Sequence, residues 1–306
     1  MARIVLVHGI GQTQQGADTL EAAWLPALAA GVRRAGHPDV ADTIWPQDPR
    51  ARTARMAHYG DLYLAPGSQG GDSVTTPDDE DLLDDLALEW LHAAAARAAD
   101  PRDRADAAQA LAAHERATNP GAQGARAAGR PLLNALTRLR WFAPLGLATA
   151  GRTVHRALAQ VPRYLDNPTL RATAQRRVLD LIDTDTQLVI GHSLGSVVAY
   201  EALHHTSHPT SFITLGSPLG MRTLVYDKLQ PQPPSIPTSV TAWHNFADID
   251  DLVAAVLDLA PHFSPTNSTT ITTNSDLDNE ATPHDAVSYL TKKSVGHAVT
   301  AALTAQ

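Results

Sequence analysis

Five residues, Gly191-His192-Ser193-Leu194-Gly195, constrain the fold of this 306-residue chain more than any other stretch. They lie between the apolar run Leu188-Val189-Ile190 and a second one, Val197-Val198-Ala199-Tyr200. A serine with glycine two positions to either side, set between a buried strand and a helix, predicts a sharp strand-to-helix turn. Glycine is needed there because the chains approach too closely for a β-carbon. Such a turn works only where the strand lies inside a sheet and the helix folds back over it. The pattern therefore asks for an alternating α/β architecture.

The rest of the chain keeps that rhythm. Arg3 to Val7 reads as a buried strand ended by His8-Gly9-Ile10-Gly11. Asp18 or Thr19 is placed to cap a helix that runs to about Ala35, with Trp24, Leu25 and Leu28 on one face, and Gly36-His37-Pro38 ends it. Residues 54–64 read as a strand and Ala65 to Pro77 as a loop. Later segments alternate: a helix from Leu194 to about His205, a strand at Phe212 to Leu215, a strand at Val240 to Phe246, a helix at Asp250 to Leu259, a strand at Thr269 to Thr273 and a helix at Val295 to Thr304. Strands alternating with helices predict a mostly parallel central sheet with helices on both faces.

Residues 78–178 break the rhythm. Asp78 to Glu89 is strongly acidic, and an Ala-rich helical tract continues to about Thr118. From Gly121 to Arg177 there are ten Arg and a single acid, Asp166. The expected organisation is a core made of 1–77 and 179–306, with 78–178 as a helical insertion of the cap or lid kind. Its Arg residues fit a solvated surface paired with the acidic part, or a basic face for an anionic partner. Trp141-Phe142 with Leu145 and Leu147 fit a packed helix, or an amphipathic element touching a lipid surface transiently.

Composition removes whole classes of function. Zero Cys excludes a disulfide scaffold, a thiolate zinc site and a thiol nucleophile. A net charge of -8 argues against a general nucleic-acid binder. The apolar start Ile4-Val5-Leu6-Val7 is too short for a signal sequence, and no run reaches the length of a membrane span. The expected location is the cytoplasm. His204, His205 and His208 stand where a helix ends before Pro209, a favourable place for His without a metal. No cofactor or metal is called for.

The chemistry suggested by the elbow is acyl transfer. Ser193 would project above the sheet at a helix N-terminus. A tetrahedral intermediate needs two backbone N–H groups aimed at its oxyanion, and Leu194 and Ile10 are the natural candidates. Gly9-x-Gly11 is not a dinucleotide fingerprint, because position 14 is Gln14 and the helix opens too late.

With the elbow go four further segments: Val7-His8-Gly9, Phe212 to Pro218, Trp243 to Ala254 and Pro283 to Leu290. Together they resemble the α/β-hydrolase superfamily, in its lipase- and esterase-like members. The resemblance covers the first 65 residues and the last 120 or so, and implies a triad in the order Ser, Asp, His. Asp251, just before Leu252-Val253, best fits the family's acid, with Asp248 as the alternative. His284, in a loop after Thr282-Pro283, best fits the base, with His297 in the last helix as the alternative. The implied activity is hydrolysis of a small-molecule or lipid-like carboxylic ester through an acyl-enzyme. Acyl transfer, thioester or amide cleavage by the same triad, and a low-turnover binding protein on the same scaffold, stay open as alternatives.

Overall fold

The computed structural model describes residues 2–64, 77–118, 129–136, 139, 159–222 and 224–305. Six strands form one all-parallel sheet in the order β2-β1-β3-β4-β5-β6. They are β1 (Ile4–Val7), β2 (Ala54–Ala57), β3 (Leu188–His192), β4 (Thr210–Leu215), β5 (Val240–Asp248) and β6 (Ile271–Leu277). The inner strands β1 and β3 are buried along their whole length, as strands covered on both faces must be. The edge strand β6 carries the half-exposed polar residues Thr273, Asn274 and Ser275 instead.

Side chains alternate across the sheet and divide the core in two. Ile4 and Leu6 of β1, Leu188 and Ile190 of β3, and Ile213 and Leu215 of β4 face one cluster. It is completed by α1 (Ala17–Arg34), α2 (Pro38–Ile44) and the C-terminal helices α9 (Ala286–Leu290) and α10 (Lys293–Thr304). Val5, Val7, Val189 and Phe212 face the other cluster. There they meet residues of α3 (Pro77–Arg97), α4 (Pro101–Thr118), α5 (Gly129–Leu136), α6 (Gln160–Asp166), α7 (Pro168–Leu179) and α8 (Leu194–Leu203). Leu86, Trp90 and Leu91 of α3 lie in the same buried cluster as β1 and β3, so the 78–178 segment supplies much of one face. A buried Arg171–Glu201 ion pair, joined by Tyr164 and Gln175, fastens α7 to α8.

Helix α1 ends as its sequence predicts. Gly36 sits at φ 92, its N–H donates to Arg33 O, and the His37 N–H donates to Val32 O, the paired bonds of a Schellman cap. Its start differs: Gly16, not Asp18 or Thr19, occupies the N-cap, so the helix opens without a side-chain cap. In its last turn, α1 approaches the end of α9 and the first turn of α10 backbone to backbone. A β-carbon on Gly31 would overlap Leu290 O, and one on Gly296 would overlap Gly31 O.

Two expected elements are corrected. The strand expected over 54–64 stops at Ala57 and is followed by a short 3-10 turn, Gly60–Tyr63. Tyr59 turns inward to stack on His8 at 4.3 Å, and a β-carbon on Gly60 would lie 2.6 Å from Gln12 O. The helix expected over Asp250 to Leu259 is an irregular loop. Side chains from elsewhere take the backbone carbonyls of Ile249, Asp251, Ala254 and Leu257, so these groups do not make helical hydrogen bonds. The loop expected over 65–76 and the Trp141, Phe142, Leu145 and Leu147 cluster lie outside the described residues.

Candidate active site

Ser193 follows β3 and immediately precedes α8, with φ 53 and ψ -132. That backbone conformation costs a non-glycine residue about 1–3 kcal/mol and persists only where the surroundings enforce it. Here they do. A β-carbon on Gly191 would lie 2.6 Å from Ser196 Cα, and one on Gly195 would overlap the carbonyls of Val7 and His8. Below the turn, Ser196 Oγ donates to Ser193 O at 2.6 Å and lies 2.7 Å from Ser217 Oγ. The loop after β1 is equally close, since a β-carbon on Gly9 would lie 2.7 Å from Ser193 Cβ. Ile10, the next residue, enters the same cavity as Ser193. Leu194 is the first residue of α8 and is buried.

His284 lies in the loop before α9, and its Nδ1 donates to Asp251 Oδ2 at 2.8 Å. Asp251 is fully buried in the loop after β5, and both its oxygens are engaged. Oδ1 accepts from Val253 N at 3.0 Å, and Oδ2 also accepts from Tyr289 Oη at 2.8 Å. Burial would raise the pKa of Asp251. The charge of His284 and the hydrogen bonds from His284 and Tyr289 outweigh it and hold the carboxyl below its usual value. The position facing this pair has to be glycine. Gly216, at φ 53, carries no β-carbon that would overlap Asp251 Oδ2 and press on His284 Nδ1.

The alternatives fall elsewhere. Asp248 accepts from the N–H groups of Asp250 at 2.7 Å and of Asn279, so it shapes the turn rather than meeting a histidine. Burial raises its pKa, and those two hydrogen bonds only partly oppose the shift. His297 is exposed on α10, edge-on to His37 at 6.1 Å, and is not part of the cavity that holds Ser193. The other two histidines near the elbow are buried supports. His192 Nε2 donates to His284 O at 2.8 Å, and burial pushes its pKa down to about 3. His8 donates through Nδ1 to Gly9 O at 2.8 Å and accepts through Nε2 from Tyr59 N at 3.1 Å, with its pKa pushed down to about 4, again by burial.

Ser193 and His284 share a cavity of about 330 Å³. Its described walls come from the β1 loop (Ile10, Gln12), from α1 (Leu20, Ala23, Trp24) and from the start of α9 (Ala286, Val287). Among the described residues the helical wall is α1, which packs on the sheet face opposite to α3. Among the described residues no group of three or more His, Asp or Glu is arranged to hold a metal, and no helix is long and apolar enough to cross a membrane.

Tyr289, Gly216 and Arg97 are site residues that sequence reasoning missed. Tyr289 lies in the Pro283 to Leu290 segment, but nothing in its spacing indicates that its hydroxyl meets Asp251. Arg97 donates to the carbonyls of Ile249, Asp251 and Ala254 from a helix 154 positions before Asp251. No known protein family, curated protein or solved structure matches the chain.

Proposed function

We propose that the protein is a serine hydrolase of the α/β-hydrolase type that cleaves compact carboxylic esters. One observation carries the reading. A buried carboxylate is hydrogen-bonded at 2.8 Å to Nδ1 of a histidine that shares a cavity with a serine held at positive φ. An inert turn needs none of these. The bond at Nδ1 sets the tautomer of His284, leaving Nε2 as the base.

In this mechanism His284 Nε2 takes the proton of Ser193 as Oγ attacks the ester carbonyl. Asp251 keeps the imidazole oriented and stabilises its charged form. The N–H groups of Leu194 and Ile10 receive the oxyanion. The C–O bond to the alcohol breaks, and the alcohol leaves with the proton from His284. Water, deprotonated by His284, then attacks the acyl-enzyme and releases the acid. The cavity is at the small end of ligand sites, which supports a compact acyl or alcohol group. The 78–178 segment contributes helices to the opposite face of the sheet, and a lid role for it belongs to this proposal only through contacts with the site's loops.

A fluorophosphonate probe tests the reading, because it bonds only to an activated serine. Native protein is expected to be labelled and to hydrolyse short-chain nitrophenyl esters. Ser193→Ala is expected to lose both activities. Labelling that survives in Ser193→Ala, or native protein that is inert to probe and ester alike, overturns it.

A further inference from the structure

The loop that carries Asp251 lacks regular secondary structure, yet Leu252, Val253 and Ala254 are buried within it. Buried carbonyls without helix or sheet partners need donors from elsewhere. Arg97, the last residue of α3, supplies donors to three of the loop's carbonyls. Its Nη1 donates to Ile249 O, and its Nη2 donates to Asp251 O and Ala254 O at 2.7 Å each. The adjoining turn adds a second tie, as Ala99 N donates to Asp250 Oδ1 at 2.6 Å. Arg104 secures that turn through the carbonyls of Ala98 and Ala99. The α3–α4 hairpin is thus clasped onto the acid loop.

A guanidinium spreads five fixed donors over three nitrogens and so reaches three carbonyls of one bend, whereas a lysine's three donors radiate from a single nitrogen. The Asp251 carboxylate has little room to drift. Both its oxygens are committed, one to its own loop's N–H groups and one to His284 and Tyr289. A displacement of the backbone would break these bonds together.

We infer that Arg97 is a positioning residue for the hydrolysis: by holding the carbonyls of Ile249, Asp251 and Ala254, it fixes the Asp251 carboxylate on His284 and makes seating of the α3–α4 hairpin a condition of turnover. This rests on the Ser193–His284–Asp251 reading above. It gives part of the 78–178 segment a role in assembling the site from behind, apart from any role in covering it.

The test is a double-mutant cycle on the full-length chain, with folding checked by circular dichroism and ester hydrolysis as the readout. Arg97→Met is expected to lower kcat about a hundredfold while KM moves less than about threefold, the signature of lost alignment. Arg97→Lys is expected to recover part of the loss. In an Asp251→Asn background, Arg97→Met is expected to lower kcat no further, because its target is already gone. A merely structural role lowers kcat equally in both backgrounds, and that result overturns the inference, as does a folded Arg97→Met with native kcat. If Arg97→Met does not fold, Arg97→Lys takes its place in the cycle with the same two outcomes. If Asp251→Asn alone leaves kcat intact, the triad reading fails and the role of Arg97 falls with it. An inert Asp251→Asn effect is separate from an inert Arg97 effect, so the two failures are told apart.

Discussion

The elbow around Ser193 and the loop around Asp251 stand at two corners of one site and are held by different means. At the elbow the constraint is steric and short-range. Glycines 191 and 195 let backbone meet backbone, and the positive φ of Ser193 follows from the strand and helix that adjoin it in the chain. At the acid loop the constraint is a set of hydrogen bonds drawn from α3, from α9 and from the carboxylate itself. A site can therefore be half encoded by a motif and half assembled by the fold, and the two halves should respond differently to perturbation.

Acid should expose the difference most. His8 and His192 flank the elbow as buried neutral rings, with pKa pushed down to about 4 and about 3. The unfolded chain takes up their protons below about pH 6.5, while the folded chain refuses them until pH 4 and 3. The unfolded state then binds more protons, so stability falls as pH falls across that window. With about 1.4 kcal/mol for each tenfold change in proton affinity, the loss amounts to several kcal/mol by pH 4. Asp251, held below its usual value, adds a loss in the same direction at lower pH. Urea midpoints measured from pH 7.5 to 4 check this, and a flat profile would break it.

Gly195→Ala attacks the elbow alone. Its methyl group would overlap two backbone carbonyls of the β1 end, which cannot swing aside as a side chain can. A stability loss of about 3 kcal/mol is expected by chemical denaturation, together with loss of probe labelling. Tyr289→Phe attacks the acid loop alone. It removes one donor to Asp251 and leaves the Asp248 N–H without its acceptor. A loss of about 1–2 kcal/mol and a kcat lower by about tenfold are expected, because Arg97 and Val253 still hold the loop. If Tyr289→Phe proves as damaging as Gly195→Ala, the contrast between the two corners disappears. His297→Ala should do least, with kcat unchanged and stability within about 0.5 kcal/mol, since the ring is exposed and lies apart from the cavity.

The same contrast explains what could be read in advance. The α/β alternation, the elbow and the close of α1 at Gly36 depend on neighbours in sequence, and the structure has them where the residues point. Asp251 and His284 are the acid and base that the α/β-hydrolase resemblance implies, and the structure joins them by a hydrogen bond, whereas Asp248 and His297 have other partners. The loop at 250–259 reads as a helix because its apolar residues are spaced like one. No local pattern reveals that an arginine far upstream takes the carbonyls a helix would need. The placement of the cavity along α1 was hidden for a similar reason, because which face of the sheet a long crossover covers is decided by packing.

The contact between Gly31 and Gly296 has a further consequence. During synthesis the first helix emerges long before the last one, yet its last turn rests directly on that last helix. The helix that carries the wall residues Leu20, Ala23 and Trp24 therefore gains this support only after residues 293–304 have left the ribosome. A nascent chain halted before that point would carry its serine without a finished chamber around it.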